Sequence, residues 1–185
     1  MIRYFRLEDD MTIPNRWHLG VATLTDGAEP RLRAGIRVET SEALTIPVTH
    51  PGRPLEFCLT SFGAPVATRH LAEAMVAVAG SSLQCIPAII PGGADMVVVN
   101  ALNVIRCLDE NRSEFVKWTL ADHRADLAGH YRQISTLVLN EAEIPVATHV
   151  FRIHGSLVEL VVSERVKVAM EAVGCLGARF IEVPT

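Results

Sequence analysis

Leu32, Ala34, Ile36 and Val38 alternate with Arg33, Gly35 and Arg37. A period of two predicts a half-buried strand with one wet face. The run Thr49-His50-Pro51-Gly52-Arg53-Pro54 predicts a loop, because its prolines and glycine break both regular structures. The first 50 residues therefore read as strand and loop, followed by a short strand over 55–60. Residues 96–108 are apolar at nearly every position and predict one long or two consecutive strands covered on both faces. Asn100 and Asn103 inside that run must find hydrogen-bond partners if buried. Asp109-Glu110-Asn111 predicts a polar turn. Further strands are expected over 134–139, 146–153, 157–162 and 178–183, with His154-Gly155-Ser156 as a hairpin turn.

Two segments change to the helical period. In the first, Thr68 is placed to cap, Leu71, Met75 and Val78 share one face, and Gly80 closes the helix. In the second, Ser163 caps, Glu164 sits in the positive first turn, Val166, Met170 and Val173 form the stripe, and Gly174 stops it. Ser113 predicts the cap of a short helical piece reaching Trp118. Residues 120–130 are polar with poor periodicity, so helix and loop both stay open. Pro87, Pro91, Gly92 and Gly93 predict a turn over 87–94. The two helices share a pattern six residues after their caps, Ala74 to Val78 against Ala169 to Val173. A duplication would explain it; two capped helices alike by chance is the simpler reading. The fold expected over residues 1–185 is a single α+β domain. Its sheet or sheets are mixed or mostly antiparallel, with two well-defined amphipathic helices and short extra helices.

Composition supports a packed globule: 49% apolar and 21% charged residues, far from the disordered class. The net charge of −4 opposes nucleic-acid binding, which needs a concentrated positive field. Residues 1–10 lack an apolar stretch after their first charges, so no secretory signal and a cytoplasmic location are expected. The longest uncharged run, Ala74 to Ala94, carries Gly80, Pro87, Pro91, Gly92 and Gly93 and predicts no membrane helix. Cys58, Cys85, Cys107 and Cys175 are scattered among apolar neighbours and are expected to be reduced and mostly buried.

Little chemistry stands out. The seven histidines include no pair at strand or helix spacing, and Asp122-His123 with Asp126 reads more simply as a solvated face than as a metal site. No serine sits on a Gly-x-Ser-x-Gly elbow, and no Lys-Ser or Lys-Thr follows Pro91-Gly92-Gly93 as a phosphate loop would require. Asp109 and Glu110 are neighbours on a turn, a poor arrangement for paired acid–base work. The expectation is no enzyme, no catalytic residue, no cofactor and no metal. Trp17, beside His18 and Leu19, is expected in the core. Trp118 is placed either as a core anchor or as an exposed interface anchor.

One resemblance adds to this. Ile86-Pro87-Ala88, then Val98 to Val104, then Cys107-Leu108-Asp109-Glu110-Asn111-Arg112-Ser113 resemble the middle of a known family. So do Val150-Phe151-Arg152-Ile153, Val161 to Lys167, Gly177-Ala178-Arg179-Phe180, the opening Tyr4-Phe5-Arg6-Leu7, and Trp17. The family is immunity family eleven of the bacterial polymorphic toxin systems. The likeness spans nearly the whole chain and is strongest from Ile86 to Phe180, while residues 119–133 fall outside it. It implies an intracellular protein of bacterial competition that binds and neutralises a cognate toxin effector domain by stoichiometric occlusion. Toxins paired with the family include nucleases. It implies no catalysis, no nucleic acid and no membrane, and leaves a homodimer open. Matched residues such as Asn100, Phe151, Arg152 and Phe180 are expected to keep the fold.

If a toxin is the partner, acidic residues would steer the encounter and a few buried anchors would hold it. The candidate partner-binding residues are Glu8, Asp9, Asp10, Asp109, Glu110, Glu114 and Trp118. The alternatives are a small enzyme with an unrecognised site, or a regulatory or structural subunit.

Overall fold

The computed structural model describes residues 2–156 and 158–185. It is α+β, as the sequence predicts. Fourteen strands follow in chain order: β1 (Tyr4–Asp9), β2 (His18–Leu19), β3 (Leu44–Thr45), β4 (Val48–His50), β5 (Phe57–Leu59), β6 (Pro65–Thr68), β7 (Leu83–Ile89), β8 (Met96–Ala101), β9 (Val104–Ile105), β10 (Glu114–Lys117), β11 (Tyr131–Thr136), β12 (Val150–Ile153), β13 (Leu160–Ser163) and β14 (Ala178–Val183). Helix α1 (Arg69–Ala79) lies between β6 and β7, and α2 (Glu164–Val173) between β13 and β14; three short 3₁₀ turns complete the set. Two mixed five-stranded sheets carry the fold, in the orders β3-β7-β8-β6-β5 and β14-β1-β13-β12-β9.

Both helices begin where the sequence places them. The Thr68 and Ser163 side chains accept from Leu71 N and Val166 N in the first turns. The stripe residues Leu71, Met75, Val166 and Met170 are fully buried, and α1 packs on α2. Their shared core takes Val97, Val99 and Ala101 from one sheet and Phe5, Leu7 and Val162 from the other. The opposite face of the first sheet is covered by Trp17, Leu19, Leu32 and Ile46. The opposite face of the second is covered by Cys107, Ile134, Leu137 and Leu139.

The two halves of the chain repeat one another, and this corrects the reading of the helix likeness as chance. Order β7-β8-β6-β5 in one sheet matches β14-β1-β13-β12 in the other, antiparallel at every step. Cap Thr68 pairs with Met96, the first residue of β8, and cap Ser163 with Tyr4, the first residue of β1. Six pairs from Leu83↔Ala101 to Ala88↔Met96 match six from Ala178↔Asp9 to Val183↔Tyr4. Smaller details recur beside the matching strands: Ile46 N donates to Ile89 O as Leu139 N does to Pro184 O, and Leu102 N to Ser82 O as Asp10 N does to Gly177 O. Each half lends its leading strand to the other's sheet, so β1 completes the C-terminal sheet and β8 the N-terminal one.

Several predicted elements are corrected. Residues 32–38 are not a strand. Gly35 takes φ +70° and sits so close to Val104 that a Cβ would fall 2.5 Å from its Cγ2. The segment is tied instead by side chains: Gln84 Nε2 donates to Val38 O, Val38 N to Gln84 Oε1, and Asn100 Nδ2 to Ile36 O. Asn103 donates to Val150 O. Residues 87–89 belong to β7 rather than a turn; Pro87 is tolerated because the outer neighbour β3 pairs only with Ala88 and Ile89. Run 96–108 takes the two-strand alternative, splitting at Leu102 into strands of different sheets. Ser113 caps no helix, since its hydroxyl exchanges bonds with Val138 O and N, and residues 114–117 pair with β11 as a ribbon. Residues 120–130 are turns around a 3₁₀ step at Ala125–Leu127. The 146–162 hairpin forms between β12 and β13; Leu157 within it lies outside the described residues.

All four cysteines are free: Cys58 and Cys107 are buried, Cys175 is intermediate and Cys85 is exposed on β7. Burial pushes the thiols of Cys58 and Cys107 up to about 12. Thiol labelling of the native protein at pH 8 should therefore modify Cys85 first and Cys175 next, leaving Cys58 and Cys107 protected until denaturation. Met75 and Met170 occupy equivalent places in the two repeats and are both fully buried. Met170→Ala and Met75→Ala should each cost about 2–5 kcal/mol in chemical denaturation. Met170→Asp, which adds an unpaired buried carboxylate, should leave no cooperative unfolding transition.

Candidate functional site

The acidic candidates are placed by local bonds, and the structure does not bring them together as one patch. Asp9, at the end of β1, pairs with the buried Arg16 at 3.0 Å and accepts from Leu59 N at 2.8 Å. It thereby ties the exchanged strand to the edge of the other sheet. Burial raises the Asp9 carboxyl above its ordinary range against the pull of Arg16 and the Leu59 amide, so the pair carries a desolvation cost and its value lies in position. Glu8 faces Arg6 at 3.4 Å, and Asp10 accepts from the Thr12 amide and hydroxyl. Asp109 closes its turn by accepting from Asn111 N.

Glu110, Glu114 and Trp118 each engage the β10–β11 ribbon, Glu110 and Glu114 at its opposite ends. Glu110 accepts from Lys117 Nζ at 2.6 Å and Glu114 from the Thr136 hydroxyl at 2.8 Å. Trp118 is half-buried. Its ring takes the Arg132 guanidinium at 5.2 Å on its face and the His123 ring edge-on at 5.2 Å. The ribbon closes through Trp118 N to His130 O and Gly129 N to Trp118 O. Val116 and Leu120 beside it are 53% and 81% exposed. An aromatic ring rigidified by a cation, flanked by exposed aliphatics and charge, matches the make-up of an interface anchor. Trp17, by contrast, is core.

No group of three or more His, Cys, Asp or Glu among the described residues is placed to hold a metal ion. Asp122 and Asp126 are engaged by Thr119 and Arg124. His18 and His50 meet edge to face across β2 and β4 at 5.5 Å with no third ligand beside them among the described residues. No described helix is long and apolar enough to cross a membrane.

A second feature was not visible in the sequence. A cleft of about 640 Å³ opens between the two repeats, walled by Leu32, Arg33, Phe62, Val104, His130 and His154. Its residues come from the loops at Leu32, Phe62, His130 and His154 and from β9 at Val104, far apart in the chain, and no spacing rule joins them. Burial and the nearby Arg106 and His130 hold the His154 imidazole below its ordinary range.

The chain matches no protein-family model and no curated protein.

Asp9→Ala would leave Arg16 and the Leu59 amide without their acceptor. It should lower unfolding free energy by about 2–4 kcal/mol, toward the low side for a broken buried pair because Asp9 keeps some exposure. Glu8→Ala should change it by less than about 1 kcal/mol. Denaturant titration of the two variants separates a fold-holding acid from a surface one.

Proposed function

We propose that this protein is an intracellular immunity protein that binds a cognate toxin domain, a nuclease among the candidates, and neutralises it by stoichiometric occlusion. The observation that carries this reading is the β10–β11 ribbon. Trp118, clamped between Arg132 and His123 and bordered by Val116 and Leu120, presents rigid aromatic and aliphatic area at little ordering cost. The likeness of the sequence to immunity family eleven supplies the class of partner. The ribbon also includes the segment outside that likeness, residues 119–133, which suits a part of the molecule fitted to one toxin.

A stoichiometric inhibitor protects only as far as its molecules match the toxin's. Titrating purified protein against the toxic domain encoded beside it should give an activity loss that is linear to one equivalent. Complete inhibition at a tenth of an equivalent would replace binding with turnover. Trp118→Ala should weaken the complex at least tenfold, equal to about 1.4 kcal/mol, while leaving the melting temperature within a few degrees of wild type.

A further inference from the structure

Among the edge strands of the two five-stranded sheets β14 is the longest, six residues against three in β5 and two each in β3 and β9. It pairs with β1 in unbroken register from Ala178 to Val183. Asp10 N donates to Gly177 O, and hydrogen-bonded pairs alternate along an antiparallel ladder. Arg179, Ile181 and Val183 therefore turn their backbone groups to β1, while Ala178, Phe180 and Glu182 turn theirs outward. Both ends of the outer edge are closed: Ala178 N donates to Cys175 O, and Pro184 O accepts from Leu139 N. Between them the backbone N–H and C=O groups of Phe180 and Glu182 meet no partner among the described residues. The first repeat treats the same edge differently. Pro87 of β7, opposite Val97, stands where Glu182 stands opposite Phe5, and a proline offers no N–H. Proline and bulges are the usual blocks on a free edge, and β14 carries neither.

We infer that β14 pairs with β14 of a second copy of this chain, antiparallel about a twofold axis at Ile181, so that one sheet runs through both copies. Self-complementarity selects the occupant. With the axis at Ile181, Phe180 of each copy faces Glu182 of the other, and every open N–H and C=O of these two residues is matched. An axis at Arg179 or Phe180 sets an open carbonyl against Ala178 N, which is already engaged, and an axis at Glu182 sets one against Pro184, which has no N–H. Axes at Arg179 and Glu182 also oppose like charges. The side chains agree with the Ile181 axis. Ile181 meets its own copy, Arg179 meets Val183, and no like charges face each other. Lys167 stands 5.7 Å over the Phe180 ring, where the Glu182 carboxylate of the second copy arrives. The present partner of that carboxylate, Arg3, is 3.9 Å away and both are exposed. The contact is isologous, as a twofold requires. One strand pair buries less than an obligate dimer needs, so monomer and dimer exchange with concentration. The inference does not rest on the proposed toxin-binding role.

Sedimentation of the wild-type chain over a concentration series reaching millimolar should show monomer passing into dimer. Glu182→Pro removes an outward N–H and copies what Pro87 does on β7; it should weaken the dimer at least tenfold. Ile181→Lys, which opposes like charges on the axis, should weaken it as much, and Val116→Ala on the β10–β11 ribbon should leave it unchanged. A residue on the axis in a non-hydrogen-bonded pair meets its own copy at disulfide distance. With Cys85→Ser and Cys175→Ser in place, Ile181→Cys should therefore form a linked dimer under mild oxidation at least tenfold faster than Arg179→Cys. A wild-type chain that stays monomeric throughout the series overturns the inference. So does a dimer indifferent to Glu182→Pro, or one that Arg179→Cys locks as readily as Ile181→Cys. None of these readouts involves the toxic domain, so failure here leaves the ribbon reading standing.

Discussion

The exchange of leading strands between two repeats is the constraint on which the rest depends. β8 is buried along its whole length and β1 pairs on both sides, so each sheet holds its order only because the other half of the chain supplies a central strand. The exchange brings α1 and α2 together over one core and forces the chain to cross between the sheets twice, at Asp9-Asp10 and at Leu102-Asn103. The first crossing is tied to the edge strand β5 and the second to β12, one strand in from the edge. Asp9 accepts from Leu59 N of β5, and Asn103 O from Arg152 N of β12. Gly177 belongs to the same junction, because a Cβ there would meet Phe57 O at 2.0 Å. A carboxylate that looks like surface charge in the sequence is thus half of a structural tie.

The surface features follow from what each repeat inserts after its leading strand. In the first repeat, residues 10–56 cover the outer face of the N-terminal sheet with Trp17, Leu19 and Leu32. In the second, residues 106–149 cover the other sheet with Cys107, Ile134 and Leu139 and extend the β10–β11 ribbon outward. The cleft opens where the first insert, through Arg33, meets the second repeat at Val104, His130 and His154. The two repeats share a sheet order and differ in their inserts, so the residues that hold the sheets are not those that shape the cleft and the ribbon.

Local rules were legible in the sequence wherever one residue governs one decision. Thr68 and Ser163 cap, Gly80 and Gly174 close, and β14 has the bounds its alternation predicts. What misled was periodicity without a partner. Leu32 to Val38 alternate like a strand, yet Gln84 and Asn100 satisfy the backbone there through side chains, so no ladder forms. Phe115 and Val116 sit behind a serine that looks like a cap, yet their cross-strand partners, Ile134 and Gln133, are nearly twenty residues on. The candidate acids were legible as charges but not as bonds: Arg16 and Lys117, which engage Asp9 and Glu110, are identified only by the fold. Arg33 and Phe62 went unnoticed for the same reason, since a cleft built from distant loops and a strand has no linear signature.

Strand exchange also fixes the order in which the molecule can be made. β1 leaves the ribosome about 150 residues ahead of its pairing partners β13 and β14. At a synthesis rate of roughly 5–20 residues per second, β1 waits on the order of ten seconds or more with its ladder open. The ladder of the N-terminal sheet can form earlier, as soon as β8 has followed β7, while the core over α1 still awaits Val166 and Met170 of α2. The nascent chain therefore passes through a state with one sheet formed and one apolar strand, Tyr4-Phe5-Arg6-Leu7, still unpaired. That strand stays open until β13 and β14 have been made.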